Sequence, residues 1–221
     1  MALATMAFLA VITVQAYPPP FPREDVSKVF ENERVVVWQA HWTSGRPSAM
    51  HQHVLDLVGV VLVGGRTRVI LPDGSTRESR LSKTGDVMFQ PKGVIHIEEP
   101  LVDGARTIGI ELKEVSAPVL VERPNFPRLF PAEGANLLFD NSRVAIWDYR
   151  WTAERPLTLH FHDRDLVVVP IENGLVRVAS PDGQAYTERQ QFGEVFFKAR
   201  GQSDREEAVE GSPRAILVEL K

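Results

Sequence analysis

The sequence predicts an all-β protein built from two tandem copies of one small jelly-roll barrel, and three observations lead there. Phe30-Glu31-Asn32-Glu33-Arg34-Val35-Val36-Val37-Trp38 recurs as Phe139-Asp140-Asn141-Ser142-Arg143-Val144-Ala145-Ile146-Trp147, 109 residues later. The apolar residues fall in short runs bounded by Gly and Pro, as strands do. Almost no stretch carries the roughly 3.6-residue period of an amphipathic helix.

The elements follow in order. Met1 to Val14 is an apolar run, and Val14-Gln15-Ala16 offers small or aliphatic residues at the positions of a cleavage site. Residues 1–16 therefore read as a secretory signal, which implies a periplasmic or secreted protein. No Lys or Arg precedes the run, so the alternative is an N-terminal arm that packs on a partner. The run is shorter than the ~20 residues that span a bilayer, and Tyr17-Pro18-Pro19-Pro20 follows, so no stable membrane span is expected. Residues 17–29 are read as an N-terminal arm and 30–114 as the first barrel. Its predicted strands are Val35–Trp42, Leu57–Val63, Thr67–Leu71, Asp86–Gln90 and Thr107–Leu112.

Pro72-Asp73-Gly74 is a turn, because Pro presets φ and Gly accepts φ > 0; Pro181-Asp182-Gly183 repeats it. Residues 115–133 form a Pro-rich linker whose Val119, Leu120, Phe126, Leu129 and Phe130 predict packing. The second barrel occupies 134–221. Trp42-Thr43, Arg46-Pro47 and Asp56 recur there as Trp151-Thr152, Arg155-Pro156 and Asp165; one lost residue then shifts the offset to 108, so Gly85 and Gly93 meet Gly193 and Gly201. Barrels limit exposed strand edges, and two of them in one chain are expected to pack as a pseudo-dimer. Further homo-oligomerisation stays open.

Composition narrows the chemistry. With 43% hydrophobic residues the chain can bury a core, and a net charge of −4 with interspersed signs offers no basic stripe for nucleic acid. The absence of Cys removes disulfides, thiolate nucleophiles and zinc–thiolate sites. Any metal must be held by His, Asp or Glu.

His51-Gln52-His53 places two imidazoles on one strand face, about 6.6 Å apart along the backbone. Gly85, Pro91 and Gly93 shape a strand-turn-strand that can return His96 to the same ion. The pattern Gly45-x5-His51-x-His53, Gly65, then Gly85-x5-Pro91-x-Gly93-x2-His96 resembles both signature motifs of the cupin superfamily. With the second copy the resemblance spans about Phe30 to Lys221 and implies a bicupin. Germin-type and dioxygenase-type cupins carry a glutamate ligand four or five residues after the second histidine, where this chain has Leu57 and Val58. The resemblance thus implies a three-histidine metal site, His51, His53 and His96, with open coordination positions. Asp56 is read as a supporting or strand-end polar residue, or as a displaced ligand.

The second copy keeps His160 and His162 but has Asp204 in place of His96 and Ala199 in place of Pro91. Two histidines and one carboxylate can bind a metal, and decay into a structural partner is the alternative. Glu98, on the face of His96, is read as a general base or as half of a salt bridge, and Glu206 matches it. His41 reads as a surface residue; Trp38, Trp42, Trp147 and Trp151 read as core. The string Ser203-Asp204-Arg205-Glu206-Glu207 reads most simply as a solvated face.

These features predict a divalent ion (Fe2+, Zn2+, Mn2+, Ni2+ or Cu2+) and a small, anionic substrate. Resemblance to three-histidine cupins implies dioxygenase-like oxidation. The alternatives are a metal-dependent isomerase or lyase, a non-catalytic binding module, and a structural metal.

Overall fold

The computed structural model describes residues 17–115 and 125–221; the predicted signal segment and the linker residues Val119 and Leu120 lie outside them. Among the described residues every element is a strand, and no helix is long and apolar enough to cross a membrane.

The first barrel comprises β1 (Val26–Glu31), β2 (Val35–Trp42), β3 (His51–Gln52), β4 (Asp56–Val63), β5 (Thr67–Ile70), β6 (Thr76–Glu78), β7 (Val87–Gln90), β8 (Ile95–Pro100) and β9 (Ala105–Leu112). They form two antiparallel sheets, ordered β1-β2-β9-β4-β7 and β3-β8-β5-β6. The second comprises β10 (Asn136–Asp140), β11 (Val144–Arg150), β12 (Leu157–Phe161), β13 (Asp165–Ala179), β14 (Ala185–Gln190), β15 (Phe196–Lys198) and β16 (Ser203–Leu220). Here β13 and β16 pair along most of their length, so strands that are broken in the first barrel run on unbroken in the second. The first hairpin of each unit turns on an asparagine. Asn32 Oδ1 accepts the N–H groups of Arg34 and Val35 at 2.8 and 3.0 Å, and Asn141 Oδ1 accepts those of Arg143 and Val144 at 2.7 and 2.9 Å.

The expected boundary between arm and barrel cuts through a strand. β1 begins at Val26 and pairs with β2 from Val26↔Ala40, so residues 26–29 belong to the barrel. The duplicated unit also starts earlier than Phe30, since Phe21-Pro22 matches Phe130-Pro131 at the same offset of 109. Both phenylalanines plug their barrels: Phe21 stacks on Trp38 with ring centroids 5.3 Å apart, and Phe130 on Trp147 at 4.7 Å.

Strand β2 has two apolar faces. Val35 and Val37 point outward into a seam shared with Val58, Val60, Ile108 and Ile110 and with Val144, Ile146, Val167, Val169, Ile216 and Val218 of the other barrel. The two barrels therefore bury one continuous aliphatic layer between them. The opposite face of β2, Trp38, Ala40 and Trp42, turns into the barrel.

The two interiors differ. Where the second barrel packs Tyr149, Val168 and Leu217 into a closed cluster, the first has Ala40, Gly59 and Gly109. Space opened by Gly59 is taken by the unbranched Met88 side chain, and an added Cβ on Gly109 would lie 3.5 Å from Phe21. Small residues thus open space in the first barrel that the flexible Met88 and the stacked Phe21 occupy.

Candidate metal centre

His51 and His96 face each other across β3 and β8. His53 is fixed to the same loop by the backbone: its N–H donates to Val94 C=O at 2.9 Å, and Gly93 N–H donates to His53 C=O at 2.7 Å. Gly93 holds φ +90°, a conformation that L side chains rarely adopt, which is why the tight return before His96 needs glycine. The outcome is three buried rings with centroids 4.7 to 5.2 Å apart and His53 Nε2 3.1 Å from His96 Nε2.

The donor atoms fit a metal ion. One ligand atom from each of the three histidines lies within 4.8 Å of the others. His51 Nδ1 lies 2.9 Å from Ala49 C=O, so it carries the ring proton and leaves the Nε2 lone pair free. That Nε2 is buried with no hydrogen-bond partner, and the Nε2 atoms of His53 and His96 meet at 3.1 Å. A buried nitrogen without a partner is costly unless something binds it. Burial lowers the pKa of all three rings, that of His53 to about 4, so the set is neutral and ready to ligate at pH 7.

Leu57 turns inward and Val58 lies in the seam, so no carboxylate completes this set. Asp56 is engaged elsewhere: Oδ1 accepts Lys92 N–H at 2.9 Å and Oδ2 pairs with Arg143 of the other barrel at 3.2 Å. Glu98 does approach the centre, and it pairs with Arg23 at 3.4 Å. Arg23 in turn lies over the Trp42 ring, 4.8 Å from its centroid. A groove of about 620 Å³ is lined by Arg23, Trp42, Arg46, Ser48 and Ala49 among others, and of these Arg23 contacts Glu98 while Ser48 and Ala49 contact His51. Trp42 thus faces a groove as well as the core assigned to it from sequence, while His41 is exposed at the rim.

In the second barrel His160 faces Asp204 across β12 and β16. Asp204 Oδ1 is 3.3 Å from His160 Nε2 and Oδ2 is 3.5 Å from His162 Nε2. The solvated-face reading of 203–207 is corrected here. Alternation along β16 turns Asp204 and Glu206 inward, where both are buried, while Arg205 stays exposed. Glu206 completes a four-residue cluster with His160, His162 and Asp204. It accepts hydrogen bonds from Lys198 Nζ at 2.5 Å and Trp151 Nε1 at 2.7 Å. Burial opposes its ionisation most strongly, and Lys198 together with His160 and His162 holds its pKa low.

Sequence reasoning missed Arg23 and Lys198. Each places a cation beside the matched glutamate, but from different elements: Arg23 faces Ala132 in the repeat and Lys198 faces Gln90. Extending the 109-residue offset back to Phe21 would have exposed the first.

The fold is that of two cupin-type barrels in one chain, with a histidine cluster in each. The fold resembles AerE from Microcystis aeruginosa at a TM-score of 0.65 and 14% identity, over 93% of this chain and 99% of that one. It also resembles the Bacillus subtilis oxalate decarboxylase with Mn(II) centres at 0.60 and 16%, over 89% and 72%. A cupin 2 conserved barrel domain protein from Leptotrichia buccalis matches at 0.56 and 11%, over 96% and 100%. No protein-family model and no curated protein matches the sequence. At such identities the likeness carries the fold and leaves the reaction to the site.

Proposed function

We propose that the chain is an exported, metal-dependent enzyme that holds a divalent ion on His51, His53 and His96 and oxidises a small anionic substrate with O2. The observation that carries this is the set of three buried imidazoles whose ligand atoms lie within 4.8 Å of one another, beside a groove lined by Arg23, Ser48 and Ala49. Three neutral ligands leave positions open, and the ion would supply a Lewis-acid and redox centre there. His51 is oriented by the Ala49 carbonyl, and Glu98 is placed to take a proton from a bound acid. The Mn(II) centres of the oxalate decarboxylase add Mn2+ to the ions worth loading beside Fe2+.

For the second cluster we propose a structural ion. Asp204, Glu206 and Glu188 set three carboxylates against the single Lys198 ammonium, so a buried divalent cation would balance the excess. Four protein donors close such a site, and Tyr149, Val168 and Leu217 fill the space around it.

Anaerobic loading with Fe(II) or Mn(II), followed by an oxygen electrode and a panel of small carboxylates, thiols and diketones, tests the reading. Oxygen uptake by wild type that His96→Ala abolishes is expected. Product formation without oxygen uptake would instead make the chain an isomerase or lyase; ligand binding with no turnover would make it a binding module.

A further inference from the structure

We propose that Arg23, carried into the first barrel by the segment in front of β1, is the anion-recognition residue of the His51/His53/His96 centre, and that its ligand is a small carboxylate that displaces Glu98 from the guanidinium. The proposal rests on the metal centre argued above and adds the residue that selects the substrate.

The segment is pinned at both ends. Gln52 N–H donates to Pro18 C=O at 2.9 Å and His41 N–H donates to Asp25 C=O at 2.8 Å. Between the pins, Phe21 stacks on Trp38, and the Arg23 guanidinium carbon lies 5.4 Å from the Phe21 centroid and 4.8 Å from that of Trp42. The guanidinium is thus oriented by two aromatic faces. Arg23 also lines the groove, so one side chain touches both the groove and Glu98.

Its polar contacts are incomplete. Arg23 Nη2 reaches Glu98 Oε2 at 3.4 Å, long for a charge-assisted bond, which is usually about 2.7–2.9 Å. Arg23 Nη1 is buried with no partner. A buried donor without an acceptor is costly, so an acceptor is missing from this space. A guanidinium edge offers two parallel donors, the match for a carboxylate.

The second barrel shows the same pair satisfied. Glu206 takes Lys198 at 2.5 Å and Trp151 at 2.7 Å, and no cation is left over. In the first barrel the corresponding Trp42 Nε1 donates to Thr107 Oγ1 at 3.1 Å, and among the described residues Arg23 is the one side chain bonded to the Glu98 carboxylate. The loose pair is exchangeable where the tight one is not. A ligand carboxylate that takes the Arg23 fork leaves its other end toward the histidines and frees Glu98 as a proton acceptor.

The test uses the full protein loaded with Co(II), titrated with acetate, oxalate and malonate and, as a neutral probe, imidazole, by the Co(II) d–d absorption. Arg23→Gln is expected to keep Co(II) content and imidazole affinity and to lose at least about tenfold in carboxylate affinity, the loss of one charged hydrogen bond. Glu98→Gln removes the internal competitor and is expected to tighten carboxylate binding roughly threefold or more; it carries the test if Arg23→Gln does not fold. Equal carboxylate affinity in Arg23→Gln and wild type, no tightening in Glu98→Gln, or a Co(II)-loaded wild type that takes no carboxylate would each overturn the proposal and leave the metal centre standing. Absence of any Co(II) that His51→Ala removes would overturn the metal centre, and the proposal with it.

Discussion

Arg34 and Asp165 form an ion pair of 2.7 Å across the seam between the barrels, and their repeat counterparts Arg143 and Asp56 form the reverse pair at 3.2 Å. Each aspartate also caps the turn that carries its own barrel's glycine return: Asp165 accepts Arg200 N–H and Asp56 accepts Lys92 N–H. The same residues meet with roles exchanged, as in a symmetric dimer. The seam and the histidine-bearing loops are therefore mechanically linked.

Removing one partner leaves a largely buried aspartate uncompensated. Arg34→Ala is expected to cost about 2–4 kcal/mol in urea unfolding, while Arg34→Ala with Asp165→Asn costs less than the sum of the two single changes. Additive losses would show that the pair carries no coupling.

Chelation separates the two clusters. The first has three protein donors beside a groove; the second has four inside a filled barrel. Metal release into excess EDTA is expected in two phases, a fast one missing in His51→Ala and a slow one missing in Asp204→Ala. A slow phase that survives Asp204→Ala would remove the second site.

Acid should weaken the metal-free protein through the buried histidines. His53 has a pKa of about 4 in the fold against 6.5 when exposed, because burial disfavours its charged form. Its contribution to stability is full above pH 6.5 and is lost as pH falls through 4, by at most about 3 kcal/mol. His51 and His96 act with the same sign. Glu111 and Glu219, raised by burial, act with the opposite sign, so the readout is the difference from His53→Gln. That difference is expected to shrink from pH 7 to pH 4; a difference flat in pH would refute the assignment.

The histidines were legible because a strand's alternation and a glycine return are local devices, and three of them with fixed spacing leave little else to predict. The duplication was legible for the same reason, since it is written in residue identity along the chain. Glu206 misled because charge suggests solvent; β16 turns alternate residues inward regardless of charge, and Lys198 on β15 compensates the burial.

The sequence by itself determined that one all-β unit occurs twice and that each copy gathers histidines, because both facts depend on neighbours in the chain. Only the tertiary structure decided that Val35 and Val37 face the partner barrel while Trp38 faces inward, that Gly59 and Gly109 open space in one interior while Val168 and Leu217 fill the other, and that Arg23 reaches Glu98 across 75 residues. Those pairings join strands distant in sequence, and packing rather than local preference chooses between two apolar faces.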